Sequence, residues 1–385
     1  MIPILFDYET LRIIWWGLLG VLLIGLAVMD GFDMGVAFLN PILGRNDTER
    51  RVIINTVGPV WDGNQVWLIT GGGAIFAAWP MVYAASFSGF YLAMFLVLVS
   101  LILRPVSFEY RNKFSPRVRS VWDYALFASG LIPPLVFGVA FGNLFLGVPF
   151  TLDEFAAPHY ADGVISGFFH LLKPFALLTG LTSVAMLVAH GAVYLASKTE
   201  GVIQRRAASA IRLATIIWLG LFIAGGIWVG MIDGYTITSE VDMNGISNPQ
   251  LKTVIVENGV WLRNYQAYPV LYAIPALAVL GAILALVLAG AKRYATAFIG
   301  SGLMVACTIT TAGVALFPFL MTSSANPSHS LTVWDASSSH FTLWLMTIAA
   351  IILVPIVLAY SSWAFHILRG AITESMVNKP NNHLY

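Results

Sequence analysis

Residues 13–38 read IIWWGLLGVLLIGLAVMDGFDMGVAF, and the reading of this stretch decides the fold. No charge interrupts it until Asp30 and Asp33 arrive, close to its far end. A run of about 20 apolar residues, rising ~1.5 Å each, is what crosses the ~30 Å hydrocarbon layer of a bilayer. The stretch is therefore a membrane helix, and its two carboxylates lie where lipid should be.

The whole chain agrees with that reading. Of its 385 residues 58% are hydrophobic and only 10% charged, with a mean hydropathy of +0.80. A soluble domain carries about 25% charged residues to wet its surface. The formal net charge of +1 gives no ground for a nucleic-acid partner. Cys307 is the single cysteine, so neither an intrachain disulfide nor a cysteine-built metal site is available. Asp7, Glu9 and Arg12 precede the first apolar run in place of a basic leader, so that run is expected to stay as a helix. The class is all-α and polytopic, with residues 1–385 as a single integral membrane domain and lipid as its surroundings.

Eight segments pass the length criterion easily: 13–38, 80–103, 122–146, 168–196, 213–232, 269–290, 294–320 and 340–368. A ninth, 52–78, carries Asp62, Pro59 and Gly71-Gly72-Gly73. Lys and Arg collect in cytoplasmic loops and arbitrate. Nine crossings with the N-terminus outside put sixteen of the 20 cations inside, among them Arg45, Arg50, Arg51, Arg104, Arg111, Arg117, Arg369 and Lys379. Leaving out 52–78 gives a poorer split of 14 to 6. Nine helices is the expectation, N-terminus periplasmic and C-terminus cytoplasmic. Segment 147–167, with Asp153, Glu154 and Asp162 and neither Lys nor Arg, then falls outside.

Asp30, Asp33 and Asp62 carry the chemistry. An ionised carboxylate at mid-bilayer costs at least ~2.5–3.5 kcal/mol, so it must face protein or a wet cavity. Counting the rise per residue puts Asp30 and Asp62 at similar depth, with Asp33 nearer the cytoplasm. The i, i+3 spacing places Asp30 and Asp33 on one face, and on the second helix Asn55, Asp62 and Gln65 share a stripe by the same rule. Carboxylates joined by amides such as Asn64 and Gln65 make a cytoplasm-facing proton path. The plainer reading is that Asp33 anchors a helix end while Asp62 bonds a neighbouring backbone or arginine. The seven histidines give no close pair suited to a metal in a bundle, and His159, His329 and His383 fall in loops or tails. His340, behind three serines, is the best polar candidate among them, with ordinary capping the simpler role. Nucleotide-binding and nucleophile-elbow motifs are absent. These residues alone leave two classes open, a respiratory subunit and a proton-coupled secondary transporter, which also buries carboxylates in broken helices.

Asp30-Gly31-Phe32-Asp33-Met34-Gly35, Gly44-Arg45-Asn46-Asp47 and Trp61-Asp62-Gly63-Asn64-Gln65-Val66-Trp67 narrow the choice. With Phe76-Ala77-Ala78-Trp79-Pro80, Tyr83, Phe137–Asn143 and Leu316–Phe319, the chain resembles subunit II of the cytochrome bd-type quinol oxidases along essentially its whole length. The classical branch is the closer of that family's two. The resemblance implies two four-helix bundles plus a peripheral helix, in a bacterial inner-membrane enzyme that oxidises quinol and reduces dioxygen to water. It implies haem b and haem d in the complex, ligated by a haem-bearing subunit I, with small accessory subunits and a structural quinone in some members. Asp62 matches the position that passes cytoplasmic protons toward the haems, Asp30 and Asp33 sit in the first-helix motif, and Trp67 matches the mouth of a dioxygen channel.

Overall fold

Hydrocarbon offers no partner to a backbone N–H or C=O, so a chain this apolar must satisfy its backbone within helices. The structure, a computed structural model, describes residues 4–161, 163–368 and 370–377, and their side chains apart from that of Arg117. Asp162, Arg369, Lys379 and His383, to which the sequence assigned sides of the membrane, lie outside the described residues. Helix α1 spans Tyr8–Leu43, with a π-helical turn at Leu26–Asp30 in its middle. It is followed by α2 (Asp47–Val57), α3 (Trp61–Ala78), α4 (Pro80–Gly89), α5 (Tyr91–Tyr110) and α6 (Pro116–Leu146). Then come α7 (Val164–His170), α8 (Pro174–Lys198), α9 (Gly201–Val229), α10 (Ala273–Gly290), α11 (Tyr294–Leu316) and α12 (His340–Ile367). Among the described residues eight helices are long and apolar enough to cross a membrane, and Trp61–Ala78 is not one of them.

Several expected segments are broken, each by an identifiable residue. In place of one helix over 52–78 the chain forms α2 and α3, because Pro59 has no N–H to give Asn55's carbonyl. Asn55 and Asp62 therefore stand on different helices and share no stripe. Segment 80–103 divides at Phe90, where Tyr160 donates to Ala85's carbonyl at 2.5 Å. The second piece then runs on to Tyr110 and takes in Arg104, which sequence assigned to a loop. Segment 168–196 divides ahead of Pro174. Segment 213–232 begins earlier, at Gly201, and 294–320 ends earlier, at Leu316.

Helices α8, α9, α10 and α11 close a ring of four. In the other bundle α1 packs on α3 and α6, and α6 on α5. α12 touches little besides the start of α1 and is peripheral. The two bundles meet where α1 and α6 pack against α8. A Cβ on Gly35 would come within 2.2 Å of Leu187's carbonyl and 2.9 Å of Gly191 Cα, so these backbones touch and only glycine fits.

At one end three antiparallel hairpins form a cap: β1–β2 (Phe150–Leu152, Pro158–Tyr160), β3–β4 (Asp233–Ile237, Val254–Asn258) and β5–β6 (Phe319–Met321, Leu331–Thr332). A buried Lys252–Asp335 pair at 2.8 Å and the bond from Leu152 N–H to His329 Nδ1, also 2.8 Å, tie the hairpins together. The opposite end is rich in arginine. There Asp123, 1% exposed, takes Arg50, Arg111 and Asn40 at 2.8, 2.7 and 3.1 Å.

Candidate functional site: two buried carboxyls, an arginine and an amide

The π-helical turn of α1 is the centre of the site. A π turn carries an extra residue and displaces carbonyls from the regular ladder, and such turns gather at functional positions. Three side chains from other helices grip this one. At its start Trp67 of α3 lies against Gly25 so closely that a Cβ there would fall 2.3 Å from the indole. In its middle the Val28 carbonyl accepts from His190 Nε2 of α8 at 2.9 Å. At its end Asp30 takes Arg104 of α5 at 2.5 Å.

Asp30 and Arg104 are both fully buried, and Asp33 is 1% exposed. Asp33 Oδ2 accepts from Asn64 Nδ2 at 2.8 Å, so α3 also reaches the cluster. Asp30 Oδ2, Asp33 Oδ1, Arg104 Nε and Arg104 Nη2 find no hydrogen-bond partner among the described residues. Buried polar atoms are almost always paired, with ordered water where protein does not reach. Asp30 is paired with the guanidinium and Asp33, three residues on, with the amide; two carboxyls and one guanidinium are neutral together when they hold a single proton. A cluster of that composition, with polar atoms to spare, can take up and give back one proton deep in a membrane helix.

The structure thus brings together Asp30, Asp33 and Asn64 of the residues singled out from sequence, and it adds Arg104. Asp62 is placed apart, on an exposed face of α3 with Gly63, Val66, Ile69, Gly73 and Phe76. A Cβ at Gly63 or Gly73 would meet nothing within 4 Å. Gln65 and Trp67 are half-buried between that face and α1. His340 does not cap α12; Ser339 does, accepting from Thr342 N–H, while His340 Nε2 bonds Phe6's carbonyl at 2.8 Å.

Arg104 was missed because it ends an apolar run, where a cation reads as a loop residue. The signal available was Asp30 itself, since a carboxylate at that depth demands a counter-charge. His190 and the π turn leave no mark in the sequence.

A family model for cytochrome bd terminal oxidase subunit II matches residues 11–368. Cytochrome bd-I ubiquinol oxidase subunit 2 of Escherichia coli (strain K12) is 51% identical over 381 residues, covering 98% of this chain and 100% of the relative. The cytochrome bd ubiquinol oxidase subunit 2 of Bacillus subtilis (strain 168) is 32% identical over 367 residues, covering 95% of this chain and 98% of the relative. Among solved structures, a chain of the bd oxidase from Geobacillus thermodenitrificans superposes with a TM-score of 0.69 at 18% identity. It covers 96% of this chain and 100% of its own length, a likeness of fold. With the family model spanning nearly the whole chain and relatives at this identity, the chain belongs to the cytochrome bd terminal oxidase subunit II family.

Proposed function

We propose that this chain delivers cytoplasmic protons within a quinol-oxidising, dioxygen-reducing terminal oxidase of the bacterial inner membrane. The single observation that carries the reading is the buried cluster of Asp30, Asp33 and Arg104, two carboxyls three residues apart on a membrane helix with one of them paired to a guanidinium. Asn64 links it to α3, the helix that presents Asp62 on its outer face. A carboxylate on a lipid-facing surface is untenable, so that face meets protein. We assign it to the haem-bearing subunit I, with Asp62 as the last carboxyl before the partner. The same face, with open glycines beneath it, suits close packing of a partner helix and a role in assembly.

Orientation follows from charge. Arg45, Arg50, Arg51, Arg205 and Arg212 gather at the end opposite the hairpin cap, which supports a cytoplasmic position for that end and an outer one for the cap. Trp61–Ala78, too polar to pass as a free span, counts as the ninth crossing because it lies along α1. Protons drawn from the cytoplasm, while quinol releases its own outside, move charge worth about 2.3 kcal/mol per 100 mV across the membrane. Trp67, half-buried against α1, is the proposed entrance for dioxygen.

Four of the described histidines are already bonded within the chain. His190, the buried histidine of the bundles, has both ring nitrogens engaged, by Val28 and Ser301. His159, His329 and His340 bond Asp153, Leu152 and Phe6 at the cap. Haem b and haem d are accordingly assigned to subunit I, and no step here runs through them.

Asp62→Asn tests the reading. In the assembled oxidase it should slow oxygen uptake by about a hundredfold or more, the scale of a lost proton-transfer group, with haem content intact. Turnover at the wild-type rate across neutral pH would rule the role out. The rival reading, a proton-coupled transporter, requires solute uptake by this chain alone, and family membership speaks against it.

A further inference from the structure

His190 lies outside the first bundle, yet it reaches the turn on which both carboxylates depend. It is fully buried on α8. Its Nδ1 is 2.8 Å from Ser301 Oγ of α11, its Nε2 is 2.9 Å from the Val28 carbonyl, and its ring is stacked on Phe298 at 4.6 Å and 14°. A neutral imidazole makes both bonds only with its proton on Nε2, donating to Val28, while Nδ1 accepts from the serine hydroxyl, whose one proton is shared with the Phe298 carbonyl at 3.0 Å. One turn further along α8, Tyr194 stacks on Phe32 at 4.0 Å. Its hydroxyl donates to the Thr56 carbonyl at 2.9 Å, at the end of α2. The i, i+4 pair His190 and Tyr194 thus holds both segments that carry the polar cluster, α1 by its π turn and the α2–α3 junction by its last carbonyl.

The π turn sets which way Asp30 and Asp33 point. Each helical residue advances the chain by ~100° about the axis, so closing a π turn to α geometry would swing all that follows by about that angle relative to Tyr8–Gly25. Arg104 and Asn64 would then face other side chains. We infer that His190, supported by Ser301, is a positioning residue: the second bundle holds the π turn of α1 open and so keeps Asp30 on Arg104 and Asp33 on Asn64. This rests on the proton-path reading only for its effect on turnover; the geometric part stands without it.

The test uses the assembled oxidase carrying His190→Leu, His190→Gln, Ser301→Ala, Asp30→Asn or Asp33→Asn. Two quantities are measured, the carboxyl bands in redox-induced infrared difference spectra (the C=O stretch of a protonated group and the carboxylate stretches of an ionised one) and the steady-state kinetics. Bands lost in the two asparagine variants identify the Asp30 and Asp33 carboxyls. His190→Leu, which removes the donor at similar volume, should shift those bands. It should also lower kcat about tenfold, the scale of a small misplacement of reacting groups, with KM for quinol and haem content unchanged. His190→Gln, whose amide can still donate to Val28, should restore the bands and most of the rate. Unshifted bands in His190→Leu overturn the inference, even where Asp30→Asn and Asp33→Asn slow the enzyme and so uphold the proton path. Shifted bands with a normal rate uphold the positioning role and overturn the proton path instead. Should His190→Leu fail to assemble, Ser301→Ala decides: shifted bands support the role and unshifted bands overturn it.

Discussion

Arg12 and Arg104 are both fully buried in the first bundle, and they are held in opposite ways. Arg12 donates to Ser337 Oγ at 2.8 Å, the Met243 carbonyl at 2.6 Å, the Gly245 carbonyl at 3.1 Å and Ser247 Oγ at 2.9 Å. Its guanidinium also rests 3.5 Å above the Tyr8 ring. Every nitrogen has a neutral partner, all from loops of the cap, so Arg12 is a clasp that fastens α1 to the cap. Arg104 spends one nitrogen on Asp30 and leaves two without a protein partner. The difference separates two kinds of buried charge: the clasp is complete, whereas the proposed proton site keeps polar atoms without a protein partner.

The largest effect expected is at Arg104. Arg104→Met strands Asp30, and breaking a buried pair by removing one partner costs about 3–5 kcal/mol. The assembled complex should lose thermal stability sharply, and Arg104→Met with Asp30→Leu should recover much of it without recovering oxygen uptake. If the single variant keeps wild-type stability, the pair is not the anchor described. Arg12→Met should be milder, about 1–3 kcal/mol, because its acceptors lie at the cap within reach of water. Turnover per haem should stay unchanged, and a loss of turnover at intact assembly would erase the contrast between the two arginines.

The smallest effect is at the cap. Burial first, and then the nearby Lys252 charge, depress His329 below its ordinary 6.5, while Nδ1 accepts from Leu152 N–H. A histidine depressed in the folded state binds its proton more readily when the loop opens. The contact is therefore at full strength above 6.5 and weakens as pH falls from there toward the depressed value. Exchange protection of the Leu152 amide, corrected for intrinsic rate, should fall over that window and should not do so in His329→Leu.

Much of this was legible in the sequence. Residues 13–38 announce a membrane helix, and Asp30 and Asp33 announce a site within it, because a carboxylate buried at that depth must be held by a counter-charge, an amide or water. Trp61–Trp67 supplied the resemblance. What stayed hidden depended on contacts between distant segments. Arg104 looked like a loop cation because nothing local shows that α5 continues to Tyr110. Asn55 fell off its expected stripe because Pro59 ends α2 before α3 begins. The outward placement of Asp62 and the grip of His190 on Val28 follow from how helices are rotated against one another, which helical periodicity alone does not fix.

The central claim is that the carboxylates of α1 feed protons to the oxidase from the cytoplasmic side. The measurement that bears on it most directly is charge movement after a single turnover with dioxygen, in liposomes holding the assembled complex with Asp33→Asn. The account predicts that the potential-generating phase slows about a hundredfold or more, on the scale of a lost proton-transfer group, while haem content and electron transfer between haems are unchanged. A wild-type phase in that variant would contradict it.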